Sequence, residues 1–230
     1  MKYSILTPSR NRPDRLITHV DSILDRAQYP EYVEIMVYVD FDDPSLERYN
    51  ELQYYRGIKI VFGPSQSISK SWNIIASQST GDVMIMGNDD QEYQTLAWDT
   101  LLQTQLEQFQ DEIYVAWMDD GINQERHCAF PIISRTWYQT LGYFAPGVFN
   151  FGYNDTWIYD IGKRLDRCLY IPHIKALHRH FSKYPDVRDD TYDRNRTQSR
   201  GNLYKLDEKI YHNTQAQRQR DAHKLRKLTW

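Results

Sequence analysis

Apolar residues recur along the first half of the chain in short runs, and each run stops at a polar, often acidic, loop. Tyr3 to Leu6 reads as a strand and is followed by Thr7-Pro8-Ser9-Arg10-Asn11-Arg12-Pro13, after which Leu16, Val20, Ile23 and Leu24 recur at helical spacing. Val33 to Val39 alternates and then becomes continuously apolar before Asp40-Phe41-Asp42-Asp43-Pro44, where Asp43 or Ser45 is placed to cap a helix beginning near Pro44. Ile58 to Phe62 predicts a third strand, closed by Gly63-Pro64. Ser67 to Ala76 predicts a helix on which Lys70 and Asn73, three apart, share a face, while Trp72, Ile75 and Ala76 pack. Val83 to Met86 is a short buried strand that ends abruptly at Gly87-Asn88-Asp89-Asp90.

The second half continues in the same manner. Leu96, Leu101, Leu102, Leu106 and Phe109 mark a helix and Ile113 to Trp117 a strand, followed by Met118-Asp119-Asp120-Gly121, whose acids read first as turn formers. Phe130 to Ile133 predicts an edge strand, and Trp137 to Leu141 a helix. A Gly/aromatic loop, Gly147 to Gly152, leads to Tyr153-Asn154-Asp155 and a helix through Trp157, Ile158, Ile161 and Leu165. Leu169 to Ile171 is a further strand, with His178-Arg179-His180 beyond it. After Pro185 the pattern weakens to one helix marked by Leu203, Leu206 and Ile210, then a Gln/Arg-rich surface helix or partly mobile tail. The alternation predicts an α/β fold: a mainly parallel, Rossmann-like sheet flanked by helices over residues 1–185, with a basic helical extension over 186–230.

Composition narrows this picture. A chain of 230 residues buries a full core, and an aromatic fraction of 14%, with 18 Tyr and 6 Trp, argues against disorder. Tyr and Trp also supply the polar-tipped rings that suit a groove for sugars or bases. The formal charge of −3 conceals an asymmetry: from Arg194 onward ten Lys/Arg stand against three Asp/Glu, a local +7, so residues 1–193 carry −10. An acidic body needs a metal or basic pockets to hold an anion, whereas the tail suits an anionic partner. Cys128 and Cys168 have no metal-ligand spacing and read as reduced and structural. No apolar leader or membrane span is visible, so the expectation is a cytoplasmic protein, in the host cytoplasm if viral.

The candidate chemistry lies at the strand ends. In open α/β sheets ligands collect beyond the carboxyl ends of strands, which puts Asn88, Asp89 and Asp90 in a crevice. Adjacent carboxylates repel unless a cation sits between them, and Mg²⁺ or Mn²⁺ carrying a phosphorylated substrate answers that; the plainer reading is an acidic turn. Arg10 and Arg12, near a helix start, favour an anion, or are solvated surface charge. Asp155 is either the N-cap of a helix starting at Thr156 or a placed base. His178 reads as a metal or diphosphate contact and His180 as an ordinary surface or core residue.

Taken in order, Thr-Pro-Ser-Arg-Asn-Arg after the first strand, Asp40 after the second, Lys70 and Asn73 on a helix, and Asn88-Asp89-Asp90 after the next long strand resemble nucleotide-sugar glycosyltransferases of the GT-A fold, most nearly the family 2-like group. The resemblance runs from Tyr3 to His180. It implies a donor site for a nucleotide diphosphate sugar, a UDP-sugar being favoured, formed by Thr7, Pro8, Ser9, Arg10, Arg12, Asp40, Lys70, Asn73, Asn88 and Asp89. It also implies a Mn²⁺ or Mg²⁺ ion on Asp90, Asp89 and His178, and Asp155 as the base of an inverting transfer. Asn88 stands where the first carboxylate of the DxD motif is usual, so two registers are open, with either Asp90 or Asp89 on the metal. An anchor-free chain with a basic tail suggests as acceptor a modified base in viral DNA, approached through Arg194, Arg196, Arg200, Lys205, Lys209, Arg218, Arg220, Lys224, Arg226 and Lys227, with a peptide, a lipid-linked glycan or a small molecule as the open alternatives. Two rivals stand beside this reading. A nucleotidyltransferase generally carries a Gly-rich phosphate loop after its first strand, and Thr7 to Pro13 has no glycine. The other is a nucleic-acid binding protein on a non-catalytic scaffold.

Overall fold

The computed structural model describes residues 1–194 and 202–229, Arg194 by its backbone alone. Four strands build the parallel half of the sheet: β1 (Tyr3–Ser9), β2 (Val33–Asp40), β3 (Lys59–Gly63) and β4 (Val83–Met86). The remainder comes from β5 (Gln91–Tyr93), β6 (Val115–Asp119), β7 (Ile132–Ser134) and β8 (Cys168–His178), giving the order β3-β2-β1-β4-β7-β6-β8-β5. β7 runs antiparallel to both its neighbours, β8 parallel to β6, and β5 antiparallel to β8.

The helices are α1 (Pro13–Leu24), α2 (Leu46–Glu51), α3 (Ile68–Gln78), α4 (Trp98–Leu106), α5 (Arg135–Leu141), α6 (Asn154–Leu165), α7 (Asp190–Arg194), α8 (Leu203–Asn213) and α9 (Gln215–Arg226). They cover both faces, which explains why the central strands read as unbroken apolar runs. Ile5, Ile35, Val37 and Ile85 point to the face packed by Leu16 and Val20 of α1 and Trp98 and Leu102 of α4. Leu6, Met36, Met84 and Met86 point the other way, onto Trp72 of α3, Trp137 of α5, Trp157 and Ile161 of α6, and Leu225 of α9. Each fully buried side chain of this size contributes about 1.5–3 kcal/mol, so the two layers are the main source of stability.

Several elements differ from the expectation. β1 extends through Ser9, so Thr7, Pro8 and Ser9 are strand residues and only Arg10 to Arg12 are loop. β7, expected at an edge, lies between β4 and β6; three residues leave too short a pattern to show that both sides are paired. β5 was not expected, and β8 is eleven residues long because a register shift between Met118 and Asp119 lets it leave β6 and pair with β5. The Gln/Arg-rich segment is a helix docked on α5 and α6. Its buried stripe is Arg218, Asp221, Ala222 and Leu225, and two charged members hide the period from a hydrophobicity reading. Arg218 donates from Nε to Asp160 Oδ2 at 2.5 Å and lies 3.9 Å over the Tyr211 ring, while Asp221 accepts from Tyr143 Oη at 2.7 Å.

Candidate active site

The carboxyl ends of β1, β2 and β4 open onto a cleft of about 650 Å³, closed on the far side by residues beyond β8 and by the turn before α6. Gly87 makes this junction possible. Its N–H donates to the Leu6 carbonyl at 2.8 Å, and a Cβ there would run into Thr7 Oγ1, so β4 ends hard against β1. The three residues that follow, Asn88, Asp89 and Asp90, line the cleft floor together with Pro8, Ser9, Arg10 and Arg12.

At one end Asp40 caps β2. Arg10 Nη1 bridges Asp40 Oδ2 at 2.7 Å and Asp42 Oδ1 at 2.6 Å, and Ser65 Oγ lies 3.3 Å from Asp40. Burial raises the Asp40 carboxyl above its ordinary value in spite of Arg10. Tyr38 and Gln66 complete this end, with Tyr38 Oη donating to the Pro64 carbonyl at 2.8 Å.

The floor holds a buried charge network. Asp89 accepts from Ser9 Oγ at 2.8 Å and from Arg12 Nη1 at 3.0 Å. Arg12 also donates through Nε and Nη2 to Asp189 at 2.9 and 2.8 Å, and stacks 4.2 Å from the Tyr192 ring. Asp90 Oδ2 accepts from Tyr192 Oη at 2.5 Å. Its Oδ1 is buried, makes no hydrogen bond within normal geometry to any described residue, and faces His178 Nε2 at 3.4 Å. Burial, and Asp90 beside it, push Asp89 above the ordinary carboxylate value against the pull of Arg12. Burial opposes ionisation of Asp90 too, but His178, Tyr192 and Arg12 together hold it below the usual carboxylate range. His178 is raised in turn, Asp90 outweighing burial.

A buried carboxylate oxygen whose neighbour is an imidazole nitrogen 3.4 Å away, in a polar cleft, fits a divalent cation. Among the described residues no group of three or more His, Cys, Asp or Glu side chains is arranged to hold one. An ion held there by Asp90 and His178 would need phosphate oxygens and water as its remaining ligands, which Mg²⁺ and Mn²⁺ accept. Asp89 is the poorer ligand, because both its oxygens already accept from Ser9 and Arg12.

Pro8, Ser9, Arg10, Arg12, Asp40, Asn88, Asp89, Asp90 and His178 are thus gathered in one cleft, as is His180. Four other candidates are not. Thr7 is fully buried, its Oγ1 3.1 Å from His19 Nε2, because its side chain points into the layer beneath β1. α3 enters the cleft through Ser67, Ile68 and Ser71, which leaves the Lys70–Asn73 face elsewhere. Lys70 is exposed, and Asn73 ties α3 to the loop after α5, donating to the Ala145 carbonyl at 2.7 Å and accepting from Phe144 N at 2.8 Å. Asp155 does not line the cleft either; it is the second residue of α6 rather than its N-cap, since the helix starts at Asn154. Arg10 and Arg12 do line the cleft, but both guanidinium groups are engaged by carboxylates, as buried cations must be.

Residues that the periodicity did not single out complete the site. Asp207 of α8, fully buried, accepts from the backbone N–H groups of Asn150, Phe151 and Gly152 at 2.7–3.2 Å and so shapes the turn that walls the cleft. His127 Nε2 lies 2.9 Å from Asp155 Oδ2. Asp120 accepts from the backbone N–H groups of Ile122, Asn123 and Gln124, as a turn former should.

Comparison with known proteins agrees with this geometry. The family described as "Glycosyl transferase family 2" matches residues 4–162. No curated protein matches the chain. Among solved structures, TarS from S. aureus superposes with a TM-score of 0.60 at 13% identity, covering 77% of this chain and 37% of that one. A mannosyltransferase from Pyrobaculum calidifontis in complex with GDP-Man and Mn²⁺ gives a TM-score of 0.60 at 13% identity, covering 76% of this chain and 56% of that one. TarS 1–349 in complex with UDP-GlcNAc gives 0.59 at 14% identity, covering 78% and 59%. The chain therefore spans between roughly a third and three fifths of these structures, which establish the shared fold.

Proposed function

This chain belongs to glycosyl transferase family 2, and from that premise we propose that it moves a sugar from a nucleotide diphosphate donor to an acceptor hydroxyl. The donor lies along the cleft, its base beside Asp40 and Tyr38 and its diphosphate over Asn88 and Asp90. A carboxylate at the base end accepts an imide N–H and rejects a ring lacking one, which favours a UDP-sugar. Asp90 and His178 are the residues that would hold Mn²⁺ or Mg²⁺, and such an ion, when bound, compensates the charge that grows on the departing diphosphate. Asn88 and Arg10 orient the donor, Arg12 and Tyr192 hold the two aspartates in place, and Asp155 takes the proton of the attacking hydroxyl, inverting the anomeric carbon.

One observation carries this reading: Asp90 Oδ1 is buried, makes no hydrogen bond within normal geometry to any described residue and sits 3.4 Å from His178 Nε2 at the floor of a cleft whose other end is a carboxylate. The test is release of nucleotide diphosphate from a panel of UDP- and GDP-sugars with Mn²⁺ or Mg²⁺. Turnover or slow hydrolysis of one donor, lost in Asp90→Asn, is the expected result. A folded protein that consumes no donor under any of these conditions contradicts it.

For the acceptor we favour a modified base in DNA. Lys205, Lys209, Arg220, Lys224, Arg226 and Lys227 are exposed on or just beyond α8 and α9. Arg218 is withdrawn from that set by its pairing with Asp160, and Arg196, Arg200 and the Arg194 side chain lie outside the described residues. Residues 1–185 carry the transferase chemistry, and 186–230, which also supply Asp189 and Tyr192 to the floor of the cleft, are the extension that meets the acceptor. Binding of a duplex that weakens steeply with salt supports this, and no binding at low salt removes it. Among the described residues no helix is long and apolar enough to cross a membrane.

A further inference from the structure

Asp155 is not a solitary carboxylate. Its Oδ1 accepts from Thr156 N at 2.7 Å, and its Oδ2 lies 2.9 Å from His127 Nε2. A carboxylate facing Nε2 fixes the tautomer that carries the proton there, which leaves Nδ1 as the unprotonated nitrogen of the neutral ring. Nδ1 makes no hydrogen bond to any described residue. The ring is held edge-on to Tyr159, 5.9 Å between centroids at 82°. The charged groups facing it are Asp155 and Lys163 of α6 and Asp120 from the turn after β6, with the Tyr159 phenol as the nearby neutral one. Asp155 and Asp120 act electrostatically on His178 as well, which lines the cleft that Asp155 itself does not.

We propose that His127 is a positioning residue for Asp155, fixing the carboxylate through its Nε2–H and deciding, by its own protonation state, when Asp155 is free to take a proton. The inference rests on reading Asp155 as the base. In the step concerned, the acceptor oxygen bonds to the anomeric carbon while the bond from that carbon to the diphosphate oxygen breaks. The electron pair leaves with the diphosphate, and the hydroxyl proton passes to Asp155. An imidazolium 2.9 Å away neutralises the carboxylate and weakens it as a proton acceptor; a neutral imidazole keeps the orienting hydrogen bond without that penalty. The hydrogen bond to Asp155, which outweighs burial, raises His127 above the ordinary imidazole value. The acid limb of the rate therefore falls above the ordinary imidazole range, not in the carboxylate range.

The test has two parts. Ring-proton NMR titration of the full chain, with His127→Gln to assign the signal, needs no substrate: His127 titrates above the ordinary value and moves back toward it in Asp155→Asn. An unchanged titration in Asp155→Asn overturns the pairing. Then kcat is followed against pH. His127→Gln keeps an N–H donor but cannot titrate, so it retains kcat within about tenfold at pH 8 and loses the imidazole limb. His127→Ala loses both the limb and more of kcat. A purely structural role predicts loss of stability with an unmoved limb, and a limb that survives in His127→Gln belongs to His178; either result overturns the proposal. If the NMR coupling holds but no donor is consumed at any pH, the transferase reading falls and the base with it. An active chain whose limb persists in His127→Gln defeats this inference alone.

Discussion

Replacing Asp207 by alanine is the sharpest test of whether the C-terminal helices are part of the site or an appendage. The side chain is fully buried, and its two oxygens receive Asn150 N at 3.0 Å, Asn150 Nδ2 at 3.2 Å, Phe151 N at 2.7 Å and Gly152 N at 2.9 Å. Truncation strands all four donors. A buried donor left without a partner costs about 1–3 kcal/mol, and the turn borders an open cleft that lets water reach part of it, so the lower bound per donor gives about 4 kcal/mol. That is a large share of a typical 5–15 kcal/mol and corresponds to a fall of roughly 8–16 °C in Tm for a chain of this size. Asp207→Asn keeps one acceptor oxygen and should lose about half as much. Urea unfolding followed by two probes, with m compared between variants, gives the measurement. The same turn supplies Asn150 and Phe151 to the cleft wall and runs into Asn154, itself held by Ser69 Oγ at 2.6 Å, so Asp207→Asn also weakens donor binding. A loss below 1 kcal/mol in Asp207→Ala would refute the reasoning.

Three further outcomes follow from buried polar groups outside the reaction. Glu34, held by Ser4 Oγ at 2.6 Å and Gly81 N at 3.0 Å, is lowered to about 2 although burial opposes it. Its contribution is full above the unfolded value near 4.5 and is lost as pH falls toward 2, so Glu34→Gln removes about 2 kcal/mol at pH 7 and flattens that limb in acid-unfolding curves. His19, buried between Gln91 O and Thr7 Oγ1, is pushed down to about 4 by burial, so the unfolded chain binds its proton first. Stability then falls as pH drops from 6.5 to about 4, and His19→Gln should remove that slope in urea midpoints measured across the window. Asn73→Ala leaves the Phe144 and Ala145 backbone groups unpaired and should cost about 2 kcal/mol while changing nucleotide affinity less than twofold; a large loss of affinity returns Asn73 to the donor site.

The strand ends and the acids on them were legible because both signals are local. An apolar run of four to eight residues followed by Asp or Asn marks where a buried strand emerges, and Asp40, Asp89 and Asp90 all fall there. What escaped was the long-range closure. Tyr192 meets Asp90 across 102 residues and Asp207 meets Phe151 across 56, and neither contact leaves a periodic trace. That Lys70 and Asn73 do not line the cleft was hidden for a different reason. Spacing shows that two residues share a helix face but not which face, and α3 turns Ser67 and Ser71 into the cleft instead. The difference between Asp89 and Asp90 was not legible because it lies in hydrogen bonds: both Asp89 oxygens accept from described residues, whereas Asp90 Oδ1 does not.

The central claim is that Asp90 and His178 hold a divalent ion through which the cleft grips a nucleotide diphosphate. Calorimetric titration of UDP into the full chain, with Mn²⁺ and with a chelator, measures it directly. The account predicts binding at least about tenfold tighter with Mn²⁺, some 1.4 kcal/mol, and loss of that difference in Asp90→Asn. A metal effect that survives in Asp90→Asn, or no binding of UDP or GDP under either condition, would contradict it.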